Sequence, residues 1–309
     1  MFTLLHTNDV HNSLQFGQCE LLRRLRLAIH DRGLLLDAGD AVASGNVTFH
    51  FAGETILNNM SAIGYDAMAV GNREFHFSRL GFESKLKLAR FPILCANIRS
   101  NHLDSTCDGN LPTVPFIICD LGVHKSTNEA SVNKEVVNET PNANVHGTLR
   151  VAIMGLTVPM ITEKMLVRHA STYVFEDPIQ IAARLVVEIR SVANPDIVVA
   201  LTHIGLQQDR KLAEAVPEIN LIIGGHSHDI LEHGERVGDT LIVQAGSHSC
   251  YLGRVEIKLN DTMTNADGLS PCNPSVNKFK IVSSLIPLPS NPKEAEMQSI
   301  LSLIDGHRQ

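Results

Sequence analysis

Tryptophan is absent from this 309-residue sequence, and aromatic residues make up only 5% of it. What remains, 44% apolar and 19% charged, is the composition of a soluble globular protein with enough apolar material for a substantial core. The length fits one large α/β domain or two smaller units. Positive charge is also in short supply. The net charge of −7 excludes a broad basic surface for a nucleic-acid polymer. An anionic substrate stays open, because bound metal ions supply local positive charge. The six Cys are scattered with no CxxC pair, so no disulfide framework is expected and a reducing compartment is. Cys95 and Cys119 lie in apolar runs and read as buried thiols. The opening Met1-Phe2-Thr3-Leu4-Leu5-His6 reads as core strand. It has no basic segment, apolar stretch or cleavage site, so no signal peptide and a cytoplasmic location are expected. No run is long enough to span a membrane, and no internal repeat is visible.

The periodicity that is present alternates between strand and helix. Phe2–His6, Leu34–Leu36, residues 66–70 and Pro92–Asn97 read as buried strands. Residues 18–31, 53–63 and Leu80–Arg90 read as the helices between them. This alternation predicts a largely parallel sheet with helices on its faces. Residues 100–112 are polar loop, and 122–147 hold almost no apolar residues, so 100–147 reads as surface insertion and loops around a strand at 113–120. Further strands are expected at 149–155, 196–201, 219–223, 240–245, 252–259 and 278–286, with helices over 178–193 and 207–216. A last helix over 293–305 follows Pro287-Leu288-Pro289. Asn291 suits its N-cap, Pro292 its first turn and Gly306 its end. Its apolar face, Met297, Ile300, Leu301 and Ile304, packs on its own domain or on a partner. The expected organisation is one large domain over 1–286 and a linker-like helix over 287–309. The run Arg23, Arg24, Arg26 and Arg32 reads as a solvated face, with a phosphate clamp as the alternative.

Five strands end in the same way: an apolar run, a Gly or small residue, then Asp, Asn or His. They lead into Asp9 and His11, Asp40, Asn72, His203, and His226 with His228. One such corner is an ordinary loop. Several together are costly unless the polar groups are paired or bound to metal. A carboxylate can bridge two cations, and Asp40 is the natural bridge. His226 and His228 are two residues apart, so they can reach different metals. Imidazole, carboxylate and amide oxygen form a mixed N/O set suited to Mn, Fe, Co, Ni or Zn. Two cations about 3.5–4 Å apart activate a bridging hydroxide and hold both ends of an in-line phosphoryl displacement.

The series Asp9-Val10-His11, Gly39-Asp40, Gly71-Asn72, Thr202-His203 and Gly225-His226-Ser227-His228 resembles the calcineurin-like metallophosphoesterase superfamily. His6-Thr7-Asn8-Asp9-Val10-His11, Cys95-Ala96-Asn97-Ile98 and Gly224-Gly225-His226-Ser227-His228 are similar to phrases of its 5′-nucleotidase branch. The resemblance implies an α/β (α+β) fold of four layers, αββα, in which two mixed β-sheets are flanked by helices. It implies two divalent metal ions, Mn first, with Fe, Zn, Co or Ni as alternatives. One would take Asp9, His11, Asp40 and His228, and the other Asp40, Asn72, His203 and His226. The substrate it implies is a small phosphorylated molecule, with no nucleic-acid polymer and no membrane partner.

The resemblance has two departures. The family's catalytic His after Gly-Asn is Arg73 here, and the Asp that supports it three residues on is His76. Arg is no general acid near neutral pH, but it stabilises charge on a phosphoryl group. Either Arg73 binds phosphate beside Asn72 while His76 supplies a proton, or Arg73 pairs with Glu74 or another carboxylate and His76 is a loop residue. Nucleotidases of this branch also carry a C-terminal specificity domain, which is expected to be absent here, with weak nucleotide specificity as the result. The reading is therefore an enzyme cleaving a nucleotide-like phosphomonoester or a diester. The alternatives are a non-catalytic metal- or phosphate-binding relative and an enzyme on protein or nucleic-acid phosphates.

Overall fold

The computed structural model describes residues 1–101, 111–122, 148–259 and 278–305. The stretches 102–110, 123–147 and 260–277, which hold most of the expected surface insertion, lie outside the described residues. The first part of the chain forms β1 (Phe2–Thr7), α1 (Phe16–Ile29), β2 (Gly33–Asp37), α2 (Thr55–Ile63), β3 (Ala67–Ala69), α3 (Arg79–Leu86), β4 (Ile93–Leu94) and β5 (Ile98–Ser100). Next come β6 (Phe116–Leu121), β7 (Leu149–Thr157), β8 (Tyr173–Phe175), α4 (Pro178–Ala193), β9 (Ile197–His203), α5 (Leu206–Ala215) and β10 (Leu221–Ile223). The chain continues through β11 (Glu235–Val237), β12 (Thr240–Val243), β13 (Tyr251–Leu259), β14 (Phe279–Pro287) and α6 (Glu294–Asp305).

Strand periodicity builds the layers. Successive side chains on a strand point to opposite faces, so a strand buried on both sides must be apolar throughout. Leu4, Leu34, Leu36, Ala67 and Ala69 turn toward Val151, Ile153, Val199, Leu201, Ile223 and Val243, forming the core between two sheets. Leu5, Leu35 and Met68 turn the other way, onto Leu21, Leu22 and Leu25 of α1 and Leu57 and Met60 of α2. On the far side, Met154, Val198, Ala200 and Ile222 meet Ile181, Leu185 and Ile189 of α4 and Leu212 of α5. The result is the αββα sandwich. Its first sheet has the order β14-β13-β1-β2-β3-β4 and its second β11-β12-β10-β9-β7-β6. The expected parallel run is present as β1 to β4. Antiparallel β13 and β14 on one edge make that sheet mixed.

Several expectations need correction. The strand expected over 92–97 stops at Leu94. The buried Asn97 takes over: its Nδ2 donates to Thr157 O (2.8 Å) and its Oδ1 accepts from Thr157 N (3.0 Å), tying the first sheet to the second. Three of the described strands, β5, β8 and β11, have no counterpart in the sequence reading. β8 pairs with β5, and β11 forms a hairpin with β12 through Gly238-Asp239. That Gly-Asp pair is a hairpin signal that sequence reasoning passed over. Cys95 is buried as expected, but Cys119 lies on the edge strand β6 and is only half-buried. α6 begins at Glu294, later than Asn291-Pro292 suggested, because a Cβ at Gly17 would stand 2.8 Å from the Pro292 ring, so that dipeptide seats against α1 instead. The apolar face of α6 packs on its own chain, with Ile304 buried and Met297, Ile300 and Leu301 against the α1 side of the core. Gly306 lies outside the described residues. Arg23 and Arg24 pair with Glu20, and Arg26 with Asp66, as a solvated face does. Among the described residues, no helix is long and apolar enough to cross a membrane.

Candidate metal centre

Parallel strands end together, so loops far apart in sequence meet at one rim of the two sheets. The loops after β1, β2 and β3 bring Asp9 and His11, Asp40 and Asn72 from the first sheet. The end of β9 and the loop after β10 bring His203, His226 and His228 from the second. All seven residues converge. His228 Nε2 lies 3.2 Å from Asp9 Oδ1 and 3.3 Å from His11 Nε2. His203 Nε2 lies 3.4 Å from Asp40 Oδ1 and 3.3 Å from Asn72 Oδ1, and His226 Nδ1 lies 3.0 Å from that same amide oxygen. Two clusters have metal-ligand geometry, Asp9 with His11 and His228, and Asp9 with Asp40 and His203. Asp9 thus belongs to both.

Backbone geometry at the rim is unusual. Asp9, His11, Asp40, His226 and His228 all have positive φ, between 49° and 79°. Non-glycine residues occupy this region rarely and at a cost, and such residues gather at functional sites. Close packing and buried hydrogen bonds hold the loops in place. A Cβ on Gly71 would stand 2.3 Å from both Asp40 N and Asp40 Oδ1, so only glycine lets the two loops touch. Buried Glu74 accepts from Asp40 N (2.9 Å), Gly71 N (2.8 Å) and Val42 N (3.1 Å). Burial, with the charge of Asp40, pushes its pKa up to about 6. Asp9 Oδ2 accepts from Asn8 Nδ2 (2.8 Å) and His226 N (2.9 Å), which fixes the carboxylate.

The donor set fits divalent cations. Among the described residues, the buried Asp9 Oδ1 has no hydrogen-bond partner, a costly state for a carboxylate oxygen. His203 Nδ1 is 2.9 Å from Ala38 O, and a carbonyl only accepts, so the N–H sits on Nδ1. In the neutral ring the Nε2 lone pair then faces two acceptor oxygens, an arrangement that calls for a positive charge between them. Burial lowers the His203 pKa, but the hydrogen bond and charge of Asp40, with Asp9 and Glu74, outweigh it and raise the value to about 9. Burial would raise the Asp40 pKa, yet His203 and the Arg73 N–H hold it below the ordinary carboxylate range. The site demands positive charge from both directions.

The two catalytic candidates after Asn72 part company. Arg73 stays at the site: its N donates to Asp40 Oδ1 (2.8 Å), its Nε lies 3.5 Å from Asp40 Oδ2, and Nη1 donates to Ala43 O (2.9 Å). Its carboxylate partner is Asp40 and not Glu74, and 40% of its side chain remains exposed. His76 is buried, stacked on Phe77 and edge-on to Phe49, with Nδ1 accepting from Ser78 N at the start of α3. Among the described residues it makes no hydrogen bond or ion pair with any of the seven. Sequence reasoning missed His248. Its ring centroid is 5.0 Å from that of His11 and 6.2 Å from that of His228. The signal was present, since Leu241-Ile242-Val243 followed by Gly246-Ser247-His248 repeats the form of apolar strand, glycine, then histidine.

The sequence profile of the calcineurin-like phosphoesterase family matches residues 2–229. The chain is 28% identical to the trifunctional nucleotide phosphoesterase protein YfkN of Bacillus subtilis over 84% of its length and 18% of that protein. It is 27% identical to human 5′-nucleotidase over 84% of its length and 46% of that protein. It is 26% identical to the uncharacterized metallophosphoesterase YunD of Bacillus subtilis over 97% of its length and 59% of that protein. The chain therefore spans less than two thirds of each of these relatives. In fold it is similar to a 5′-nucleotidase precursor from Thermus thermophilus, with a TM-score of 0.63, 23% identity, and 99% of this chain on 58% of that one.

Proposed function

Because the chain belongs to the calcineurin-like phosphoesterase family, we propose that it hydrolyses small phosphoesters at a two-metal site built from Asp9, His11, Asp40, Asn72, His203, His226 and His228. The observation that carries this reading is His203 Nε2 facing the oxygens of Asp40 and Asn72, a set of acceptors around one point. One lobe would take Asp9, His11 and His228, the other Asp40, Asn72, His203 and His226, with Asp9 close enough to serve both. Two bound divalent cations would supply Lewis acidity, polarising the phosphoryl group and lowering the pKa of an attacking water. The N/O donors suit Mn first, with Fe, Co, Ni or Zn as substitutes.

The chain's own groups do the positioning. Arg73 presents its exposed guanidinium beside Asp40, where it binds phosphoryl oxygens and offsets their charge. The Asn72 amide oxygen faces ring nitrogens of both His203 and His226, where all three would share a cation. Glu74 fixes the two loops that carry Asp40 and Asn72. His76, buried in its aromatic stack, is assigned to packing at α3. Residues 1–286 would serve as the catalytic unit, with α6 beyond them packed on the α1 side of the core. A nucleotide-like phosphomonoester is the first substrate class and a diester the second. Relatives named as nucleotidases and the acidic net charge support a small substrate over a polymer. Nucleotide breakdown in the cytoplasm is the matching cellular role, favoured by Cys residues without paired spacing.

Metal analysis and a panel of chromogenic monoesters and diesters, run with Mn, Co, Ni and Zn, test this. The expected result is two first-row metals per chain and Mn-stimulated turnover. Asp40→Asn should lose more than roughly a hundredfold, since even the outer partners of metal ligands are worth about 10–100-fold. Bound metal with no turnover across the panel would establish the non-catalytic reading, with Arg73 as its mark.

A further inference from the structure

The loop after β12 carries an imidazole that neither the fold nor the seven candidate ligands require. His248 and Ser249 both have positive φ, 55° and 56°, a costly pair of conformations for residues that are not glycine. The surrounding bonds over-determine that geometry. His248 N donates to Asp9 O (2.8 Å), Ala245 N donates to Asn8 Oδ1 (2.9 Å), and Asn8 Nδ2 donates to Gly246 O. Ser249 Oγ lies 2.8 Å from Ser13 Oγ, and Gln18 Nε2 donates to Ser249 O (3.0 Å). This loop is thus strapped to the loop bearing Asp9 and His11, and the strap fixes His248 relative to them. The ring itself is exposed, so it contributes little to the core. Its neighbours are the rings of His11 and His228, and its Nδ1 lies 3.0 Å from Ser247 Oγ. When the Ser247 hydroxyl donates to Nδ1, the N–H is left on Nε2 as a free donor at the rim.

Resting on the two-metal phosphoesterase reading above, we propose that His248 is a substrate-binding residue. Its Nε2–H donates to an oxygen of the bound phosphoryl group on the lobe of Asp9, His11 and His228. Arg73 sits beside Asp40, so the phosphoryl group is held from two directions by groups that ligate no metal. This gives the site a second non-metal contact in place of the histidine that the Arg73 position lacks.

The test uses the Mn-loaded full chain and its His248→Ala and His248→Gln variants. Orthophosphate affinity is measured by calorimetry, alongside kcat and KM for a chromogenic phosphomonoester, metal content and Tm. His248→Ala should weaken orthophosphate binding and raise KM, each roughly tenfold, with kcat changed far less. His248→Gln, which keeps an N–H donor, should recover most of that loss. Metal content should stay at the wild-type value and Tm should hold. Unchanged orthophosphate affinity in His248→Ala overturns the proposal. So does loss of metal together with affinity, which would make His248 a ligand. Failure of the two-metal reading appears separately, as wild-type protein that binds no metal or turns nothing over.

Discussion

Glu74 is completely buried and holds three backbone N–H groups, two on its Oε2 and one on its Oε1. An amide in its place offers one acceptor oxygen, so it serves one side and turns its NH2 toward the donors on the other. Each buried donor left without a partner costs about 1–3 kcal/mol. Glu74→Gln should therefore lose roughly that amount in urea unfolding, and weaken metal binding by about 10–100-fold because the partners that orient the ligands have shifted. Stability and metal affinity equal to wild type would remove Glu74 from this role. At this scale the sequence was legible for ligand types and illegible for supports. Asn72 is marked by the glycine and apolar strand before it. Glu74 looks like any acidic loop residue, and its burial depends on Val42, 32 residues earlier in the chain. The fate of His76 was hidden for the same reason, since Phe49 and Phe77 enclose it only after folding.

Among the elements, the contact between the loops after β2 and β3 is the tightest constraint on the site. Gly39 has φ +93°, and a Cβ there would stand 2.7 Å from Gly71 N. A Cβ on Gly71 would meet backbone and carboxylate atoms of Asp40 at 2.3 Å, and neither is the far end of a flexible side chain. Gly71→Ala should push Asp40 out of position while leaving the sheet intact. The expected outcome is lower metal occupancy by elemental analysis with a far-ultraviolet circular dichroism spectrum like that of wild type. Full occupancy would mean that the loops can yield. Element existence was readable wherever an apolar run is long, as in β7, β9 and β13. The three-residue strands β8 and β11 were not readable, because their pairing partners and not their own periodicity define them. α4 was legible at its start, where Asp177 caps Ile179 N and Gln180 N ahead of Pro178.

Over the whole molecule, the two sheets each bring part of one acceptor-rich cluster, so cations bound there would join the halves of the sandwich. A ligand that binds only the folded state stabilises it by about 2.7 kcal/mol at 100 times its Kd. At about 2–4 °C per kcal/mol for a domain of this size, each metal site is worth roughly 5–10 °C. Chelation should lower Tm by that amount, and Mn should restore it. An unchanged Tm in the chelator would mean that the site binds weakly or not at all. The sequence by itself determined the strand–helix alternation and six of the seven strand-end donor positions at short range, while the αββα layering was implied by the family resemblance and built by the packing of the two sheets. The alternation and the donor positions follow from local patterns: an apolar run buries a strand, a glycine turns it, and a polar residue stands at its end. His228, the seventh, follows from its two-residue spacing after His226. Only the tertiary structure decided that Asp9 serves both clusters, that Arg73 stays beside Asp40 while His76 is buried, and that His248 joins His11 and His228. Those outcomes depend on contacts between residues that are not sequence neighbours, from Asp40 with Arg73 to His248 N with Asp9 O, which no local pattern encodes.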